Sequence, residues 1–64
     1  MTLRVGIIGA GQVGERQAIG FAATAGAKVV GIADLVLERA TALTQRFGGI
    51  AVTDWRQLMD LDLD

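Results

Sequence analysis

Three glycines, Gly9, Gly11 and Gly14, and one carboxylate, Asp34, are the residues of this 64-residue chain whose types and spacing could do chemistry. Gly9-Ala10-Gly11-Gln12-Val13-Gly14 reads GxGxxG. In that pattern the first glycine turns the chain sharply, the second lets backbone approach a pyrophosphate, and the third lets a following helix lie close. The pattern alone is a weak signal in a chain with nine glycines. Its setting sharpens it. An aliphatic run ends at Gly9, a helical period begins at Val13, and Asp34 stands twenty residues past Gly14, closing a second aliphatic run. The amides of Gln12 and Val13 then sit at a helix start, lacking intrahelical acceptors and at the positive end of the dipole, where an anionic diphosphate is welcome. Asp34 can accept from both ribose hydroxyls of an adenosine half, and its charge repels a 2′-phosphate. Leu35 beside it offers neither cation nor hydroxyl to such a phosphate. NAD is therefore expected, while Arg39, one helical turn further, keeps NADP possible.

Other chemistries find little support. The chain has no His and no Cys, which removes the commonest general base, the commonest transition-metal ligand and any disulfide or thiolate. No catalytic residue and no metal site can be named, and Lys28, the only lysine, is placed at the start of the second strand, away from the cofactor end. Six basic against seven acidic residues give a net charge of −1, which argues against nucleic acid and acidic membrane surfaces as partners. The longest run without strongly polar side chains, Val5–Gly11, has seven residues, against about 20 for a membrane span. A cytoplasmic location is expected. Trp55 reads as a packing residue of a short terminal helix, and Arg39 and Arg46 as surface charges.

The elements that must position these residues follow from hydrophobic period. Leu3–Ile8 and Lys28–Ala33 are short, aliphatic and bounded by glycine or Asp34, the composition of strands buried on both faces of a parallel sheet. Between them Gly14, Ala18, Phe21, Ala22 and Ala25 recur at helical spacing, with Gly26 as the expected stop. Val36, Ala40, Leu43 and Phe47 form a second helical stripe, closed by Gly48-Gly49. Ile50–Val52 is short and extended. Thr53 or Asp54 can cap a brief helix through Met59, Asp54 with Gln57 having the spacing of a capping box, and the last eleven residues, ending Leu61-Asp62-Leu63-Asp64, hold four of the seven acids. The fold class is α/β: the β-α-β-α opening of a doubly wound parallel sheet, halted before its third strand. Right-handed crossovers put both helices on one face. The other face is then bare, so the rest of a longer chain, or a self-association partner, is expected to cover it.

The whole chain resembles the amino-terminal segment of the glucose–fructose oxidoreductase, inositol dehydrogenase and rhizopine-catabolism family (Gfo/Idh/MocA). The resembling pieces are LRVGIIGAGQVG at 3–14, VVGIAD at 29–34, ERA at 38–40 leading to Phe47-Gly48, and TDWRQL at 53–58. Many relatives carry His three residues after the third glycine, where this chain has Gln17. The resemblance implies a Rossmann fold and a nicotinamide-dependent oxidoreductase acting on CH–OH groups of a sugar, polyol or related compound. It implies Gly9, Gly11, Gln12, Val13, Gly14, Asp34 and Leu35 as cofactor-binding residues. The family's catalytic Lys and its carboxy-terminal substrate domain match nothing in residues 1–64, which are read as the first part of the dinucleotide-binding domain and as inactive alone. The alternative is a regulatory module that senses NAD or NADH; a flavin or nucleotide-sugar fold is a further rival.

Overall fold

The computed structural model describes residues 2–9, 11–61 and 63. Ala10, Asp62 and Asp64, which the sequence reading places in the glycine motif and the acidic terminus, lie outside the described residues. The aliphatic runs form strands β1 (Leu3–Ile8) and β2 (Ala27–Ala33), and the helical periods form α1 (Gln12–Ala22) and α2 (Leu37–Phe47). Ile50–Val52 is a third strand, β3, followed by a 3-10 helix at Trp55–Asp60. All strands are parallel in the order β1-β2-β3. The doubly wound opening is therefore present, and it extends one strand further than the sequence reading allowed. A three-residue strand is too short to show a period and is defined by pairing with β2 through Gly31, Ile32 and Ala33.

Both helices pack on one face of the sheet. The core joins Ile7 of β1 and Val29 and Ile32 of β2 to Ala18 of α1 and Ala40 and Leu43 of α2. Alanines that are wholly buried bring the helix axes close to the strands. Val29 and Ile32 are three residues apart, a spacing that strict strand alternation would send to opposite faces. A bulge reconciles them: Val5 pairs with Val29 and Gly6 with Gly31, so Val30 has no partner on β1 and the phase of β2 inverts.

The second face is not bare. The bulge sets Gly6 and Gly31 side by side, and a Cβ on either would meet the tips of leucines: Leu58 and Leu63 at Gly6, Leu58 and Leu61 at Gly31. The 3-10 helix, Leu61 and Leu63 thus lie on a floor of two glycines, with Leu58 buried as their anchor. β1 departs furthest from the expectation of a strand covered on both faces, since Leu3 and Ile8 are exposed. As the first strand in the sheet order, it has β2 on one side only.

Two helix ends also differ from the sequence reading. α1 stops at Ala22, where the Ala23 and Thr24 amides donate to Ile19 and Phe21 and the Thr24 hydroxyl donates to the Gly20 carbonyl at 2.7 Å. Gly26 (φ +85°) instead turns the chain into β2. Of the expected α1 stripe, Gly14 and Ala18 are buried, whereas Phe21, Ala22 and Ala25 are exposed. Gly48, at φ +88°, ends α2 as expected. Val36 precedes that helix and is exposed rather than part of its buried stripe.

Candidate functional site

The carboxyl ends of three parallel strands meet at one place because backbone bonds tie them there. The Gly9 amide donates to Ala33 at 2.7 Å, and the Asp34 amide donates to Val52 at 3.0 Å. The turn after β1 and the acid after β2 are therefore held as neighbours in a crevice where open α/β sheets bind ligands. A cleft of about 380 Å³ opens between them, within the range of about 300–1,000 Å³ usual for small-molecule sites.

Gly9 adopts φ +90°, a conformation that side-chain-bearing residues resist, and so bends the chain out of β1. Gly14, in the first turn of α1, has no room for a side chain, because a Cβ there would collide with the Gly9 carbonyl oxygen. Its missing side chain seats the helix against the turn. At Gly11 a Cβ would meet nothing within 4 Å, so this glycine leaves open space beside the backbone. Gly11 is also the residue preceding α1 and supplies no side-chain cap. The Glu15 amide reaches the Gly11 carbonyl at 2.9 Å; the amides of Gln12, Val13 and Gly14, one turn earlier, have no intrahelical acceptor. The Gln12 and Val13 side chains are exposed.

Asp34 is half-buried, and its Oδ1 accepts from the Val36 amide at 2.8 Å. This local turn fixes the carboxylate at the cleft. Leu35 is 93% exposed and lines the same cleft.

The structure thus brings Gly9, Asp34 and Leu35 together in the cleft, while Gly11, Gln12 and Val13 stand beyond it at the head of α1 and Gly14 packs behind Gly9. Several lining residues lay outside the sequence-based set. Ile8, Val36, Thr53 and Trp55 contribute walls, and Arg39 the second charge. Trp55, read from sequence as packing, is 51% exposed and faces this space. Arg39 is more than a surface charge, whereas Arg46 ion-pairs with Glu15 at 3.0 Å and lies over the Phe47 ring, tying α2 to α1. Ile8 and Val36 could have been flagged as aliphatic residues adjoining the Gly9 turn and Asp34. Nothing local to Trp55 reveals that β3 carries it to β2.

The wall bearing Trp55 is braced from its own start. Asp54 Oδ1 accepts from the Arg56 amide at 2.9 Å, the Asp54 amide donates to Gln57 Oε1 at 3.2 Å, and the Arg56 guanidinium grips the carboxylate at 2.8–3.2 Å. That is the capping box expected from the spacing. The hydrogen bonds from the Arg56 side chain, then from its amide, hold the Asp54 carboxyl below the ordinary carboxylate range, and the side-chain bond to that carboxylate, then its charge, raise the Arg56 guanidinium. Among the described residues no helix is long and apolar enough to cross a membrane.

Residues 3–63 match a family model described as an oxidoreductase family with an NAD-binding Rossmann fold. Among solved structures, a myo-inositol dehydrogenase from Corynebacterium glutamicum superposes with a TM-score of 0.90 at 34% identity, over 97% of this chain and 19% of that one. A myo-inositol dehydrogenase from Lactobacillus casei, in complex with NAD(H) and myo-inositol, gives 0.88 at 31% identity, over 100% and 20%. A 3-ketoreductase from Actinomadura kijaniata, in complex with NADP, gives 0.86 at 32%, over 97% and 20%. No curated protein matches. The chain spans about a fifth of the length of these relatives, and it belongs to the oxidoreductase family with the NAD-binding Rossmann fold.

Proposed function

We propose that this member of the family holds the adenosine and diphosphate half of NAD, and serves an oxidoreductase acting on a CH–OH group of a sugar, polyol or related compound. The amides of Gly11, Gln12, Val13 and Gly14 hold the diphosphate, and Asp34 accepts from the adenosine ribose. Gly9 and Leu35 border the ligand. The observation that carries this reading is the contrast between two glycines: Gly14 is filled from behind by the Gly9 carbonyl, while Gly11 opens onto empty space. Packing alone explains the first and not the second, whereas a diphosphate against the amides needs both. NAD, when bound, supplies the hydride acceptor; the residues of this chain bind and orient it. The solved relatives, myo-inositol dehydrogenases and a 3-ketoreductase, support the substrate class.

Calorimetric titration of NAD, NADP and AMP against the chain and its Asp34→Ala variant tests the site. The expected result is NAD binding that the variant weakens by about 10- to 100-fold, the worth of hydrogen bonds to a charged group. Equal affinity in both proteins removes Asp34 from the site. A cytoplasmic setting is proposed and is tested by cell fractionation. Further polypeptide, from the same protein or a second copy, is proposed to lie along β1, where Leu3 and Ile8 are exposed; sedimentation of the chain would reveal a second copy as a dimer.

A further inference from the structure

We propose that Gly31 is a positioning residue for the cleft: the room it leaves on β2 sets how close the 3-10 helix comes to the sheet, and so how far the wall of Thr53 and Trp55 stands from Asp34. The proposal rests on the reading of the cleft as a dinucleotide site and names a residue outside it that sets its width. Gly31 does not line the cleft. It lies three residues before Asp34 in the chain, about 10 Å at the rise of a strand. Glycine inside a strand needs a reason, since it weakens the strand and packs no side chain of its own. Backbone conformation is not the reason here. The glycines at positive φ are Gly9, Gly26, Gly48 and Gly49, so no left-handed turn calls for glycine at Gly31. Room is the reason. A Cβ there would stand 2.7 Å from the tips of both Leu58 and Leu61, while its next neighbour, the Ile50 carbonyl oxygen, is at an ordinary 3.8 Å.

What the room admits is the anchor of the cleft's third wall. Leu58 is the one buried residue of the 3-10 helix, whereas the Asp54–Arg56–Gln57 hydrogen bonds are exposed and join that segment only to itself. β3 ties the wall to β2 through three residues alone. Side chains three apart eclipse on a 3-10 helix, so Trp55 and Leu58 share one side, and a helix raised at Leu58 carries Trp55 with it. The depth of one leucine thus sets the opening of the cleft.

Calorimetric titration of NAD reads the effect. Gly31→Ala should weaken binding by about 2- to 30-fold, the range for residues that act on a site without touching its ligand. Gly6→Ala, whose Cβ would meet Leu63 at 3.0 Å and Leu58 only at 3.5 Å, should weaken it less. Adding Leu58→Val and Leu61→Val to Gly31→Ala should recover most of the affinity and return the emission of Trp55, the chain's one tryptophan, to that of the ligand-free parent; no recovery overturns the role. Ala42→Gly, which lowers stability from the exposed face of α2, should bind NAD as the parent does, and weakening equal to that of Gly31→Ala would show a general loss of fold instead. If folded Gly31→Ala binds NAD as the parent chain does, while Asp34→Ala weakens it, the positioning role is overturned and the dinucleotide site stands. Should Gly31→Ala not fold, Gly6→Ala decides: weaker binding upholds the role and unchanged binding overturns it. If the parent chain does not bind NAD, both readings fall together.

Discussion

Asp34 has two tasks that a substitution can separate. Its Oδ1 shapes the turn into α2 by accepting from Val36, and its charge decides which adenosine phosphate is tolerated. Asparagine keeps an acceptor for the turn and removes the charge. Asp34→Asn should therefore retain the thermal midpoint within a few degrees, while the NAD-over-NADP affinity ratio falls by about tenfold, the scale of one unbalanced charge contact. Arg39, in the same cleft, should then contribute, so that Asp34→Asn with Arg39→Ala recovers part of the NAD preference; competitive titration of the two dinucleotides reads both changes. Gly14 has no such latitude. A methyl group there collides with the Gly9 carbonyl, so Gly14→Ala should displace the turn and cost about 1–3 kcal/mol of stability, with loss of NAD binding, read by chemical denaturation and calorimetry. The turn at Gly9, the close packing at Gly14 and the placing of Asp34 at the end of β2 were legible in the sequence because each follows from residues near it in the chain. Trp55 was not, since its position depends on pairing between β2 and β3.

The element that most changes the sheet is the bulge at Val30. It inverts the phase of β2, admits Val29 and Ile32 to one core, and aligns Gly6 with Gly31 beneath Leu58, Leu61 and Leu63. Gly49 completes it: at φ +90°, with a Cβ that would stand 2.8 Å from the Val30 carbonyl carbon, it lets the chain into β3 pass close to the bulge. Gly49→Ala should accordingly destabilise the chain by about 1–3 kcal/mol, whereas Ala42→Gly on the exposed face of α2 should cost about 1 kcal/mol through helix propensity alone. Chemical denaturation distinguishes them. Such a bulge is invisible to period analysis, because every residue from Val29 to Ala33 is buried and a continuous apolar run carries no phase. The capping box was visible, being local. Its carboxyl titrates low in the folded chain, so the cap is intact above the ordinary aspartate pKa of about 3.9 and is lost as pH falls through the depressed folded value. A carbon-detected NMR titration should place the Asp54 midpoint below about 3.9, and Arg56→Ala should raise it only part of the way to that value, because the amide at position 56 still donates to the carboxylate.

The whole molecule has little stability to spare. At roughly 0.05–0.15 kcal/mol per residue, a chain of this length holds about 3–10 kcal/mol, and Leu43→Ala, in the core shared by α2 and the sheet, should remove about 2–5 kcal/mol of it. The ion pair between Arg46 and Glu15, exposed on both sides, contributes at most about 1 kcal/mol. At this scale the α/β class and the placement of both helices on one face were readable from strand and helix alternation. The covering of the second face was not, because three leucines close in sequence give no sign of two glycines far from them. Function is divided across the molecule in the same way. Lys28 is exposed near the start of β2, about 16 Å from its carboxyl end at the rise of a strand, so the chain by itself should bind dinucleotide without reducing it. The most direct test of the central claim is an amide-resolved NMR titration with NAD. The backbone signals of Gly11, Gln12, Val13 and Gly14 should move together and saturate with those of Asp34 and Leu35; saturable shifts confined to other residues, or no shifts at all, would contradict a diphosphate held at the head of α1.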